Sequence, residues 1–200
     1  KRWGPAAARG GGTSGSSTPT TTRGTRRPPR GSAARTRCEC ARAPARIYFA
    51  DDFRDAKGGW TLDDPWQIGP ATASKNAALG SPDPSADRAG VAGGSIAGVV
   101  LGGPYKRTLR KSSLTSPAFD ASGATRVVLQ FYRFLNTDEA SHVPHTIEAS
   151  RDGGATWTEL WRTGSQSFTE RAWTLQTLDL TPYAASNTRV RFSYEMLDPQ

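Results

Sequence analysis

The chain has 200 residues, of which 36% are hydrophobic, with two cysteines and a formal net charge of +8. That length holds one domain of ordinary size with a real core, and no run of about 18 apolar residues is present that would span a membrane. Taken whole, the charge points to a nucleic-acid or anionic-surface partner. Its distribution does not: residues 1–47 carry 11 Lys/Arg against the single acid Glu39, while residues 48–200 carry 15 basic and 17 acidic side chains.

Apart from Lys1, Trp3, Cys38, Glu39, Cys40 and Ile47, residues 1–47 are all Ala, Arg, Gly, Pro, Ser or Thr. A segment of that composition buries too little apolar surface to offset the entropy of ordering it, so residues 1–47 are expected to form a disordered basic low-complexity tail. A nucleic-acid arm would interleave aromatic residues with its arginines. Trp3 stands alone, so a solvated linker, or sequence that is not a natural protein segment, is the favoured reading and nucleic acid is not an expected partner. Cys38 and Cys40 are too close in sequence for good disulfide geometry and too few for zinc, which leaves incidental thiols. No apolar leader follows Lys1, so the signal of an exported protein would lie upstream of this sequence.

The body, residues 48–200, is punctuated as strands. Ile47 to Phe53 reads as an opening strand, and Trp66 to Gly69 as a short strand bounded by Pro65 and Gly69. Residues 70–94 are a long polar excursion, of a length that is usually functional or disordered. Ser95 to Leu101 and Leu114 to Phe119 follow as strands. From Val127 to Leu135 both faces carry apolar or aromatic side chains, with Gln130 and Arg133 as exceptions, the pattern of a central strand covered on both sides. After a second polar loop, residues 136–145, the segments His145 to Ser150 and Thr156 to Arg162 flank Asp152-Gly153-Gly154, a hairpin signal because Asp and Gly tolerate positive φ. Trp173 to Leu180 and Thr188 to Glu195 alternate; in the latter Val190, Phe192 and Tyr194 share one face. No segment has a convincing period of 3.6, and the strand spacing predicts an all-β, antiparallel β-sandwich.

Several residue groups invite a chemical reading. Ser150 to Trp157 fits the Asp-box pattern Ser-x-Asp-x-Gly-x-Thr-Trp, which sialidases carry, but the box is a hairpin device and glycoside hydrolysis needs paired carboxylates or a supported Tyr nucleophile. His142 and His145 are three apart, but Pro144 argues against the helix that would converge them on zinc. Asp51, Asp52, Asp83 and Asp87 are candidate calcium ligands, because carboxylates plus loop carbonyls supply the six to eight oxygens that calcium takes; solvated turn carboxylates are the alternative. Among the tryptophans most are expected in the core, and Trp66, beside the long loop, is the candidate sugar-stacking platform. Asp87, Arg88, Asp138 and Glu139 in the two long loops complete the candidate ligand-binding set. No catalytic residue is assigned.

The succession Asp52-Phe53, Gly59-Trp60, Trp66 to Gly69, Asp83 to Asp87, Leu114-Thr115-Ser116-Pro117, Phe131-Tyr132 and Trp161 to Trp173 resembles MAM-type jelly-roll modules. These occur in large secreted bacterial proteins and in the C-terminal region of immune-inhibitor-type metallopeptidases. The resemblance covers about residues 48–200 and departs from the family in two places. Asp87-Arg88-Ala89 stands where the family has Asp-His-Thr, and the usual closing strand, Gly-Trp-x-Ile-Asp-Asp-Val, does not appear before Gln200. The resemblance thus implies a jelly-roll sandwich that lacks its closing strand, a fragment, with a structural calcium near Asp52. It further implies a secreted or surface-exposed bacterial protein, in which this non-enzymatic module serves recognition or adhesion toward carbohydrate or protein. An accessory piece of an exported peptidase or glycosidase is the alternative.

Overall fold

The computed structural model describes residues 2–9, 45–55, 58–75, 80–103, 110–138 and 140–197, the strand at 2–9 by its backbone alone. In chain order the strands are β1 (Arg2–Arg9), β2 (Ile47–Asp51), β3 (Thr61–Leu62), β4 (Trp66–Pro70), β5 (Ser95–Val99), β6 (Ser112–Thr115) and β7 (Val128–Phe134). There follow β8 (Asn136–Thr137), β9 (His145–Ser150), β10 (Thr158–Arg162), β11 (Phe168–Thr169), β12 (Thr174–Asp179) and β13 (Arg189–Tyr194). The one helical element among the described residues is a 3-10 turn at Thr181–Tyr183, and no helix there is long and apolar enough to cross a membrane. The chain is all-β, as the alternation predicts.

Two antiparallel sheets build the sandwich. The six-stranded sheet runs β12-β7-β1-β5-β4 with β2 also on β1, and the five-stranded sheet runs β10-β9-β13-β6-β3. Period-2 alternation places one face of each strand inward. Phe131 of β7 meets Phe192 of β13 edge to face at 5.1 Å between ring centroids, and Trp66 of β4 meets Tyr194 of β13 at 6.3 Å. Ile147, Leu114 and Leu129 fill the space around them.

β7 is central, as its sequence predicts: β12 lies on one side and β1 on the other. Its inner positions Leu129, Phe131 and Arg133 are buried, while Val128, Gln130 and Tyr132 are half-covered. Arg133, the apparent exception on the inner face, is buried with its own counter-ion. Its guanidinium binds Glu170 at 2.8 Å and lies over the rings of Trp161 and Phe168.

The structure departs from the reading of residues 1–47 as a disordered tail at Arg2–Arg9, which is a strand inside the six-stranded sheet; residues 10–44 lie outside the described residues. Ile47 opens β2, in keeping with the strand expected at Ile47 to Phe53. β1 pairs with β7 along its length, and on its other edge with Gly98 and Ala97 of β5 and then with Asp51 to Ile47 of β2. Gly4 and Pro5 together oppose the single residue Tyr132, a bulge. That is where a strand tolerates proline, which has no N–H to give the ladder. β5 and β7 make no pairing with each other, so β1 joins the two parts of the sheet.

Candidate functional site

The hairpin β9–β10 carries the Asp box, and its side chains are committed to the turn. Asp152 accepts hydrogen bonds from Ser150 Oγ (2.7 Å), the Thr156 amide (2.9 Å) and Thr156 Oγ1 (2.5 Å), and Ser150 Oγ accepts from the Gly154 amide (2.8 Å). These bonds, those from Thr156 first, hold the Asp152 carboxyl far below the ordinary carboxylate range. Trp157 lies under the Arg191 guanidinium at 4.2 Å.

From this hairpin the outer face of the five-stranded sheet can be built row by row. The register aligns Trp161, Ile147, Phe192, Leu114 and Leu62 across the strands, the apolar row turned to the core. The flanking rows are polar: Arg162–Thr146–Ser193–Ser113 and Glu159–Glu148–Arg191–Thr115. Glu148, at 7% exposure, takes a fork of bonds from Arg191 (2.7 and 3.0 Å) and an ion pair from Lys111 Nζ (2.7 Å). Burial works against its ionised form, but the bonds from Arg191 and Lys111 outweigh it and hold the carboxyl below its ordinary value. Ser113 and Ser193 share a hydrogen bond of 2.8 Å.

At the end of the first polar row is a cleft of about 60 Å³ lined by Lys111, Pro144, Thr146, Arg162, Ser193, Tyr194 and Glu195. Drug-sized ligands need several hundred Å³, so this cleft has room for no more than one small polar group. Thr146 is 4% exposed, and its hydroxyl has no hydrogen-bond partner. Leaving a buried hydroxyl unpaired costs about 1–3 kcal/mol. Tyr194, 1% exposed, has its phenol pushed up to about 12 by burial and by the nearby Asp64 charge.

The residues singled out by sequence are placed as follows. Trp66 is 5% exposed and packed on Tyr194, which corrects its reading as an exposed stacking platform: its ring fills the core. The loop at 80–94 folds back onto the outer face of the six-stranded sheet. Trp173 Nε1 donates to the Ala86 carbonyl (3.1 Å), and Arg88 lies over the Tyr132 ring at 4.7 Å. Asp87 Oδ1 accepts from the Ala89 and Val91 amides, so it shapes the loop's own turn. The two long loops do meet: Ser81 Oγ contacts Asn136 Oδ1 and the Glu170 carbonyl. Asp138 is exposed, 3.8 Å from His142 Nδ1, and Glu139 lies outside the described residues.

The candidate calcium ligands Asp51, Asp52, Asp83 and Asp87 make contacts within the chain. Asp51 accepts from the Phe53 amide (2.7 Å) and Trp60 Nε1 (2.9 Å), bonds that hold buried Phe53 at its φ of 60°. Asp52 faces Arg54 at 3.3 Å, and the Asp83 amide is tied to Ser74 Oγ. Among the described residues no three His, Cys, Asp or Glu side chains gather as a metal group would require. His145, read as one of two incidental loop histidines, opens β9 and is 1% exposed, its Nδ1 2.9 Å from the Val143 carbonyl oxygen. The cleft residues Lys111, Thr146, Arg162 and Ser193 escaped the sequence reading. The available signal was the polar alternate face of His145 to Ser150 and Thr188 to Glu195, which looks like an ordinary solvated face until the register aligns it.

The chain matches no protein-family model, no curated protein and no solved structure.

Proposed function

We propose that this chain is a non-catalytic recognition module that holds a carbohydrate or protein ligand on the polar face of its five-stranded sheet. The observation that carries this reading is Thr146: a hydroxyl nearly removed from water, unpaired, at a cleft flanked by Lys111 and Arg162. Such a group costs stability and brings none back within the chain, which is what a group reserved for an outside partner does. The neighbouring cations are positioned rather than free to wander, since Glu148 anchors Lys111 and Glu159 anchors Arg162 at 2.7 Å. The loops at 80–94 and around Asn136, joined through Ser81, lie against the other sheet and take no part in this contact. The resemblance to MAM-type modules supports the same role and a secreted or cell-surface setting.

The test is a glycan array together with a pull-down from extracellular material, run on the whole chain and on Lys111→Ala. Capture that the substitution weakens supports the reading. Hydrolysis of a sialoside or peptide by the chain itself would overturn it.

A further inference from the structure

Resting on that recognition reading, we propose that the ligand group taken by the cleft is the vicinal diol of a neutral saccharide. The charges decide the class. Lys111, Arg162 and Arg191 are matched by Glu148, Glu159 and Glu195, three cations against three carboxylates, so the cleft and its immediate partners carry no net charge. An anionic group arriving here would meet Glu195 as well as Lys111, and both cations already hold carboxylates. A diol needs donors and acceptors side by side, and the lining supplies both: ammonium and guanidinium donors, the Glu195 carboxylate as acceptor, and the Thr146 hydroxyl able to do either. Thr146 has three staggered χ1 wells, so a rotamer step is enough to carry its hydroxyl out of its present buried position. The one aromatic residue in the lining, Tyr194, is 1% exposed. Recognition therefore runs through hydrogen bonds rather than through stacking on a sugar face, and the affinity is expected to be weak.

The experiment is a titration of the whole, isotope-labelled chain followed by amide chemical shifts. The probes are cellotriose, maltotriose, mannotriose, trigalacturonate and tetraglycine, with Thr146→Val measured in parallel. Thr146→Val keeps the side-chain shape and deletes a hydroxyl that makes no bond inside the protein. Its melting midpoint is therefore unchanged or raised, and a loss of binding is not a loss of fold. The expected result is a neutral trisaccharide that shifts the amides of Thr146, Ser193 and Glu195 and binds about fivefold more weakly to Thr146→Val, the factor one hydrogen bond of ordinary strength represents. Tighter binding of trigalacturonate or of tetraglycine at these amides overturns the neutral-diol assignment. A saccharide that shifts other amides and ignores Thr146→Val overturns the cleft while leaving the recognition role standing. Silence with every probe overturns the saccharide assignment, and the role itself falls only if the array and pull-down are silent too.

Discussion

Glu148 of β9 and Arg191 of β13 face each other across the sheet and share two hydrogen bonds of 2.7 and 3.0 Å on a face that also holds Lys111. One carboxylate thus bonds two cations, and removing it leaves both without their anchor. Glu148→Gln is expected to destabilise the chain by about 3 kcal/mol, the usual cost of breaking one side of a buried pair, read from the urea midpoint. The Glu148 carboxyl is held below its ordinary value, so its contribution is complete above the ordinary carboxylate pKa and fades as the pH falls through the lowered one. Wild type should therefore lose its advantage over Glu148→Gln in acid; a constant gap at every pH would contradict this.

Arg133 and Glu170 make the comparable pair at the other end of the core. Glu170 also accepts the Leu135 amide at 2.6 Å, and through its carbonyl it holds Ser81. Glu170→Ala should cost about 3–5 kcal/mol and raise hydrogen exchange at Leu135, while the Ser81 bond to the main-chain carbonyl of residue 170 is kept. Exchange at Leu135 that stays as slow as in wild type would count against the pin.

Asp152 is exposed, so its worth is local. Asp152→Ala should speed exchange at the Thr156 amide and fray the turn between β9 and β10 while leaving the core transition close to wild type. Because the wild-type carboxyl is held well below the ordinary range by bonds from Thr156 and Ser150, the turn keeps its order through moderately acid pH. Fraying near the ordinary carboxylate pKa would argue against those bonds in solution.

The strand at Arg2–Arg9 offers the sharpest test of the fold. Deleting residues 1–9 strips partners from β7, β5 and β2 at once, and a buried backbone group without a partner costs about 1–3 kcal/mol. A fall of at least about 3 kcal/mol in unfolding free energy is expected, with exchange rising at Phe131, Leu129 and Ala97, which face β1 in the register. An unchanged midpoint would remove β1 from the account of the sheet.

Tyr194, buried against Trp66 and His145, is expected to ionise near pH 12 in an ultraviolet titration of the folded chain. In Trp66→Ala the opened core should bring it back toward ordinary tyrosine behaviour. A Tyr194 that ionises with the exposed tyrosines in wild type would contradict its burial.

Local pattern alone determined a good part of this protein. The alternation of Thr188 to Glu195, the two-sided apolar run at Val127 to Leu135 and the Asp-Gly-Gly turn are short-range signals, and each produced the strand or hairpin it implied. Side-chain direction in a strand follows from backbone geometry, so such signals survive whatever the rest of the chain does. What depended on partners distant in sequence was not legible. Trp66 lies beside a polar loop in sequence yet is core, because Tyr194, far along the chain, covers it. Arg133 reads as an interruption of a core strand until Glu170 arrives to neutralise it. Arg2–Arg9 has the composition of a tail and holds a central place only because β7, β5 and β2 offer open hydrogen-bonding edges. The cleft is the extreme case: Lys111, Thr146, Arg162 and Ser193 sit on four different stretches of chain, and strand register, which one sequence position cannot fix, is what brings them to one side of one sheet.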